Sequence, residues 1–230
     1  MRAFEILMQK FDKIFILNLC YRTDRYNSMI KMLSNIGYDE ANQKHKDFVE
    51  FVYASPWPFN DILVRAFNMV YRKTVFTKVN EYDCMRNHCH IMEIAVARKY
   101  KHILVFEDDI RLLKEDNLIT YLNHIPVDYS FIKMDGSTFD SKVMYKINDY
   151  REKGQLYIKD DQDIRLWNMG MYAISDKGID TYLKIIFENP SVSDTPTFKH
   201  DRFSDFYNTA YPIGIQATDV SKSDIRTEPH

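Results

Sequence analysis

Glycine is scarce in this chain, with six in 230 residues. None falls between positions 20 and 25, the turn that follows the first apolar run. A phosphotransferase built on a glycine-rich phosphate cradle would need one there. Cysteine is sparse as well: Cys20, Cys84 and Cys89 are odd in number. Such usage suits a reducing compartment and not a disulfide framework. No apolar run is long enough to span a bilayer. The opening segment, residues 1–7, is broken by charge and has no secretory cleavage pattern. The expectation is a cytoplasmic protein. The formal net charge is only -2, so there is no bulk positive field to attract nucleic acid.

What the chain has in quantity is apolar and aromatic side chains. Hydrophobic residues make up 45%, with 16 Tyr and 15 Phe, which excludes a disordered chain. The length suits one substantial α/β core and not two ordinary domains. The expected domain covers residues 1–219, with a polar tail at 220–230. Short apolar runs predict strands at 13–19, 48–53, 102–107, 129–134, 155–158 and 170–175. Helical spacing of apolar residues predicts helices at 26–36, 61–73, 81–100, 116–124 and 179–186. Pro56 and Pro58 break the second strand, and Asn80 is the expected N-cap of the long helix. Residues 137–163 are weakly patterned. Strands alternating with helices predict a single Rossmann-like mixed sheet flanked by helices.

The most informative stretch is His102-Ile103-Leu104-Val105-Phe106-Glu107-Asp108-Asp109-Ile110. A buried strand runs straight into three acids. Ligands gather at the carboxyl ends of strands in open α/β sheets. Adjacent carboxylates repel one another unless solvent or a cation relieves them. This stretch alone allows two readings: an acidic loop after a core strand, or a divalent-cation site with hard oxygen ligands.

Other candidates lie elsewhere along the chain. Asn18, Arg22 and Arg25 follow the first strand, where arginine can grip phosphate; alternatively, Arg22 and Arg25 form a solvated helix start with Asp24. Cys84 and His88 share one helical face. Zinc needs more ligands than this pair supplies and no second pair appears, so Cys84 reads as a small core residue. Glu81 and His88 belong to one patch at the head of the long helix. Asp201, in Lys199-His200-Asp201-Arg202-Phe203, and Asp135, at the end of a strand, are the acids available as a general base. An acid at a helix start is commonly only a cap. His200 is a weaker metal-ligand candidate, and Trp167 with Asn168 could wall a sugar or be buried.

The order of these motifs resembles glycosyltransferase family 25, the lipooligosaccharide-type transferases related to collagen galactosyltransferases. The order is an apolar strand with Asn18-Leu19 and a basic turn, then Glu81-x-x-Cys84-x-x-x-His88, then Leu104-Val105-Phe106-Glu107-Asp108-Asp109, then Tyr172-Ala173-Ile174-Ser175. The resemblance implies a GT-A-type fold in which Glu107-Asp108-Asp109 stands for an Asp-x-Asp motif. It implies Asp109, with Asp108, as ligands of a divalent cation, Mn2+ or Mg2+. It also implies Asp201 first and Asp135 second as the general base. Asn18, Arg22, Arg25, Glu81, His88, Glu107 and Asp108 would line the donor site. The implied reaction is inverting transfer of a hexose, best matched to galactose, from a UDP-sugar to a hydroxyl of a surface-glycan or lipid-linked acceptor. It would take place in the cytoplasm, with peripheral access to the inner membrane face. The chain departs from the family where Asp83-Cys84-Met85-Arg86-Asn87-His88 replaces Gly-Cys-x-x-Ser-His, and at Cys20. Those departures keep a second reading open: a noncatalytic glycan- or nucleotide-sugar-binding relative.

Overall fold

The computed structural model describes residues 1–54, 66, 79–112, 115–136, 140–159, 164, 166, 169–188 and 200–216. The expected helix at 61–73 (apart from Ala66), Pro56, Pro58, Trp167, Asn168 and the tail lie outside the described residues.

In chain order the elements are α1 (Ala3–Lys10), β1 (Lys13–Leu19), α2 (Thr23–Asn35), α3 (Gln43–Phe48), β2 (Val49–Ala54), α4 (Val79–Ala97), β3 (His102–Glu107), β4 (Ile110–Leu112), α5 (Glu115–Asn123), β5 (Phe131–Lys133), α6 (Ser141–Glu152), β6 (Tyr157–Lys159), β7 (Met171–Ser175), α7 (Asp176–Glu188), β8 (Phe206–Thr209) and β9 (Gly214–Gln216). Seven strands form one mixed sheet in the order β2-β1-β3-β7-β5-β8-β6, and β4 pairs with β9 in a small second sheet. β1 runs parallel to β2 and β3, while β7 lies antiparallel between β3 and β5. The α/β expectation of one mixed sheet flanked by helices is met.

The pleat sorts the core into two layers. Ile14, Ile16, Leu104 and Phe106 pack with α1 and α2 residues such as Phe4, Met29 and Leu33. Their chain neighbours Phe15, Leu17, Ile103 and Val105 pack on the other face with Met85, Ile91 and Met92 of α4 and Tyr182 of α7. Alternate side chains of a strand point to opposite faces. A strand covered on both faces is apolar throughout, which is why β1 and β3 read so clearly as continuous runs.

Three helix expectations are corrected. Asn80 lies within α4 and is not its cap. That helix ends at Ala97, short of Tyr100: Lys99 takes a left-handed φ of 58, and the Tyr100 N–H closes on the Ala95 carbonyl at 3.0 Å, a hydrogen-bonded helix stop. The weakly patterned stretch contains α6, capped by Asp140 Oδ1 accepting from the Lys142 N–H at 2.8 Å. Only Val143 and Ile147 of α6 are buried, too thin a stripe to betray a helix.

Among the described residues no helix is long and apolar enough to cross a membrane. One close approach fixes how α7 meets the sheet. A Cβ placed on Gly178 would lie 1.9 Å from the Ser130 carbonyl oxygen. Gly178→Ala is therefore expected to destabilise the fold by about 2–3 kcal/mol, measurable as a lower denaturation midpoint; an unchanged midpoint would mean that α7 sits further from the sheet.

Candidate functional site

Strand register brings the sequence candidates to one edge of the sheet. Leu17 pairs with Glu107, so Asn18 follows beside Asp108. The Glu107 N–H donates to the Gly170 carbonyl at 2.7 Å, and the Gly170 N–H donates to Asp135 Oδ2 at 2.7 Å. The ends of β1, β3 and β5 and the start of β7 therefore carry Asn18, the acidic triad, Asp135 and Gly170 side by side. Gly170 is there because a Cβ would meet Ile110 Cδ1 at 2.5 Å and Asp135 Oδ2 at 3.0 Å.

The same pleat that sorts the core divides the three acids. Glu107 continues the series Ile103, Val105 and turns to the α4 side, where His88 Nε2 lies 3.2 Å and Cys84 Sγ 3.6 Å from its Oε1. Asp108 turns to the α2 side, where Arg25 Nη1 donates to its Oδ1 at 2.6 Å. Asp109, in the turn between β3 and β4, accepts from Gln216 Nε2 at 3.1 Å and lies 3.8 Å from Arg25 Nη1.

Charge in this cluster is held under tension. Burial pushes the Asp109 carboxyl up to about 6, with help from the Glu107 charge. Burial also pushes up Asp108, against the pull of the Arg25 guanidinium. Burial likewise raises Asp135 to about 7, although Lys133 works the other way. For Glu107, burial acts upward but is outweighed by His88, which leaves the carboxyl below its usual value. Buried like charges give this pattern unless another group neutralises them.

Several polar atoms here are buried without a hydrogen-bond partner among the described residues. They are both side-chain atoms of Asn18, Asp108 Oδ2, Asp109 Oδ1 and Asp135 Oδ1. Buried polar atoms are nearly always satisfied, and this grouping at adjacent strand ends is one that a polar or cationic ligand could satisfy. The orphaned carboxylate oxygens are hard donors of the kind that Mg2+ and Mn2+ take.

Other candidates fall differently. Arg22 pairs with Asp24 at 2.8 Å, and this hydrogen bond holds the Asp24 carboxyl at about 2; the helix-start alternative describes that contact. Asp201 is exposed on a short 3-10 turn, His200–Arg202, that leads into β8 and not into a helix. Glu81 lies in the first turns of α4. Cys84 is half-buried beside Glu107 and not a core residue. Sequence reasoning missed Gln216 and Tyr172. Only Tyr172, within a strand singled out for its apolar run, carried any signal.

No family model matches the chain. The chain is similar to glycosyltransferase family 25: it is 30% identical over 109 residues to the human protein "Inactive glycosyltransferase 25 family member 3". That match covers 44% of this chain and 17% of the relative, so the chain spans a small part of that protein's length. Among solved structures, the galactosyltransferase LgtC in complex with donor and acceptor sugar analogues aligns with 85% of this chain and 72% of its own. The identity is 11% and the TM-score 0.44, a likeness that says nothing about activity.

Proposed function

We propose that the strand-end cluster is the donor site of a GT-A-type hexosyltransferase. It would move a hexose, galactose as the first choice, from a UDP-sugar to a glycan or lipid-linked hydroxyl with inversion. The observation that carries this reading is the set of orphaned polar atoms on Asn18, Asp108, Asp109 and Asp135 at neighbouring strand ends. Asp109 and Asp108 would hold a divalent cation, Mn2+ or Mg2+. Such a cation neutralises the charge left on a departing diphosphate. Asn18 offers one donor and one acceptor to the nucleotide side of the site.

An inverting reaction needs a base for the acceptor hydroxyl. What supports Asp135 over Asp201 is its position in the cluster and its carboxyl, raised by burial to about 7. A base with that proton affinity takes up a proton near neutral pH and releases it again. Asp201, exposed on its turn, is the second choice.

A noncatalytic nucleotide-sugar-binding role is the alternative. Arg25 favours it, because its guanidinium already neutralises Asp108, and the curated relative is named inactive. A panel of nucleotide sugars incubated with purified protein and manganese separates the two. The transferase reading expects release of UDP from one donor, with Asp109→Asn folded but slower by about 100-fold or more. Saturable donor binding without turnover supports the alternative. Full activity in Asp109→Asn contradicts the cation assignment.

A further inference from the structure

The side chains of Cys84, His88 and Glu107 meet where the head of α4 passes the end of β3. Their ligand atoms all lie within 4.8 Å of one another. The geometry points to a second metal site here, a three-ligand seat for a thiophilic divalent cation such as Zn2+. It uses none of the carboxylates of Asp108, Asp109 and Asp135, although Glu107 adjoins them, and does not rest on the transferase reading.

Zinc takes sulfur at about 2.3 Å and nitrogen or oxygen at about 2.0–2.1 Å in tetrahedral array. Those bond lengths set a sulfur-to-oxygen edge of about 3.6 Å and a nitrogen-to-oxygen edge of about 3.3 Å. Cys84 Sγ and Glu107 Oε1 are 3.6 Å apart, and His88 Nε2 and Glu107 Oε1 are 3.2 Å apart. Two of the three edges among these ligands therefore exist before any ion enters, and the third, from Cys84 sulfur to His88, lies within 4.8 Å.

The surroundings are those of a metal-binding histidine. His88 is fully buried, and its other nitrogen, Nδ1, lies 2.9 Å from the Tyr172 hydroxyl. Ligating imidazoles are oriented in this way, through a partner on the far nitrogen. Spacing of i and i+4 puts Cys84 and His88 on one helical face, and the pleat of β3 turns Glu107 toward them. The third ligand that the helix pair lacks in sequence comes from the strand. Cys84 is half-buried and Glu107 keeps 21% of its side chain exposed, so a fourth position faces outward for water or a ligand oxygen. On binding, the Cys84 thiol loses its proton to solvent and the thiolate takes the ion.

Cobalt(II) titration of the whole chain tests this site. One equivalent should produce a thiolate-to-cobalt charge-transfer band with the visible bands of a tetrahedral ion, and Zn2+ should displace it. Cys84→Ser should abolish the charge-transfer band. Cys89→Ser should keep it, because Cys89 points instead to the Met85 sulfur at 3.6 Å. Tyr172→Phe should weaken binding by about 10–100-fold while keeping the spectrum. Absence of the band in a folded protein, or a band that survives Cys84→Ser, overturns the site and leaves a plain hydrogen-bonded network of Cys84, His88 and Glu107. Failure of the UDP and manganese experiments would leave these spectra untouched.

Discussion

Arg25→Ala is expected to destabilise the protein by about 3–5 kcal/mol, the loss that follows when one partner of a buried ion pair is removed. Arg25 and Asp108 are 2.6 Å apart, with side chains only 6% and 7% exposed. Without the guanidinium, Asp108 would be left buried beside Asp109 and Glu107 with no counter-charge. The carboxyl would then take up a proton more readily, so the loss should be larger at pH 8 than at pH 5. The double change Arg25→Met with Asp108→Leu removes both charges and should recover much of the stability. Urea denaturation of the wild type and the two variants checks this. The motif alone suggests a different outcome for Arg25→Ala, a loss of nucleotide affinity greater than the loss of fold. That outcome requires the guanidinium to face the ligand, and here it faces Asp108. Wild-type melting with weakened UDP binding would restore the motif's reading.

Asp135→Asn should flatten the dependence of stability on pH. Burial raises the Asp135 carboxyl to about 7, against roughly 3.9 for an unfolded aspartate. The folded chain therefore binds this proton more tightly than the unfolded chain does. The resulting stabilisation is fully present below the unfolded value and is lost as pH rises through about 7. Between pH 5 and pH 8 the wild type should lose on the order of 2–3 kcal/mol from this group. Asparagine keeps an acceptor for the Gly170 N–H, which donates to Asp135 Oδ2 at 2.7 Å, but cannot ionise. Denaturant midpoints at several pH values, compared between the two proteins, give the difference directly. Parallel curves would show that Asp135 is charged in the fold across that range.

The sequence made the strands legible wherever both faces are covered. β1 and β3 are nearly continuous apolar runs, and β7 is buried along its whole length. Sheet order was not legible, because periodicity does not reveal that β7 inserts antiparallel between β3 and β5. α3 and α6 escaped for a related reason: each buries only two side chains. The acidic strand end was visible, as was its convergence with Asn18; the place of Asp135 beside it was not, because it depends on the sheet order. Its division was not. Reading the pleat forward from Ile103 and Val105 would have sent Glu107 toward α4 and Asp108 toward α2. Cys84 and His88 looked like an incomplete pair for that reason, since their third partner is 19 residues beyond His88 on a different element. Gln216, which reaches Asp109 from the far end of the chain, left no local signature.

In the proposed site, the orphaned polar atoms of Asn18, Asp108, Asp109 and Asp135 would take a nucleotide diphosphate with the help of a cation. Calorimetric titration of UDP into the protein, with and without manganese, tests it most directly. The account expects a single saturable site that tightens when manganese is present. In Asp109→Asn, manganese should lose its effect and affinity should fall by roughly tenfold or more, about 1.4 kcal/mol. UDP binding that ignores manganese, or an Asp109→Asn protein that binds as the wild type does, would contradict the claim.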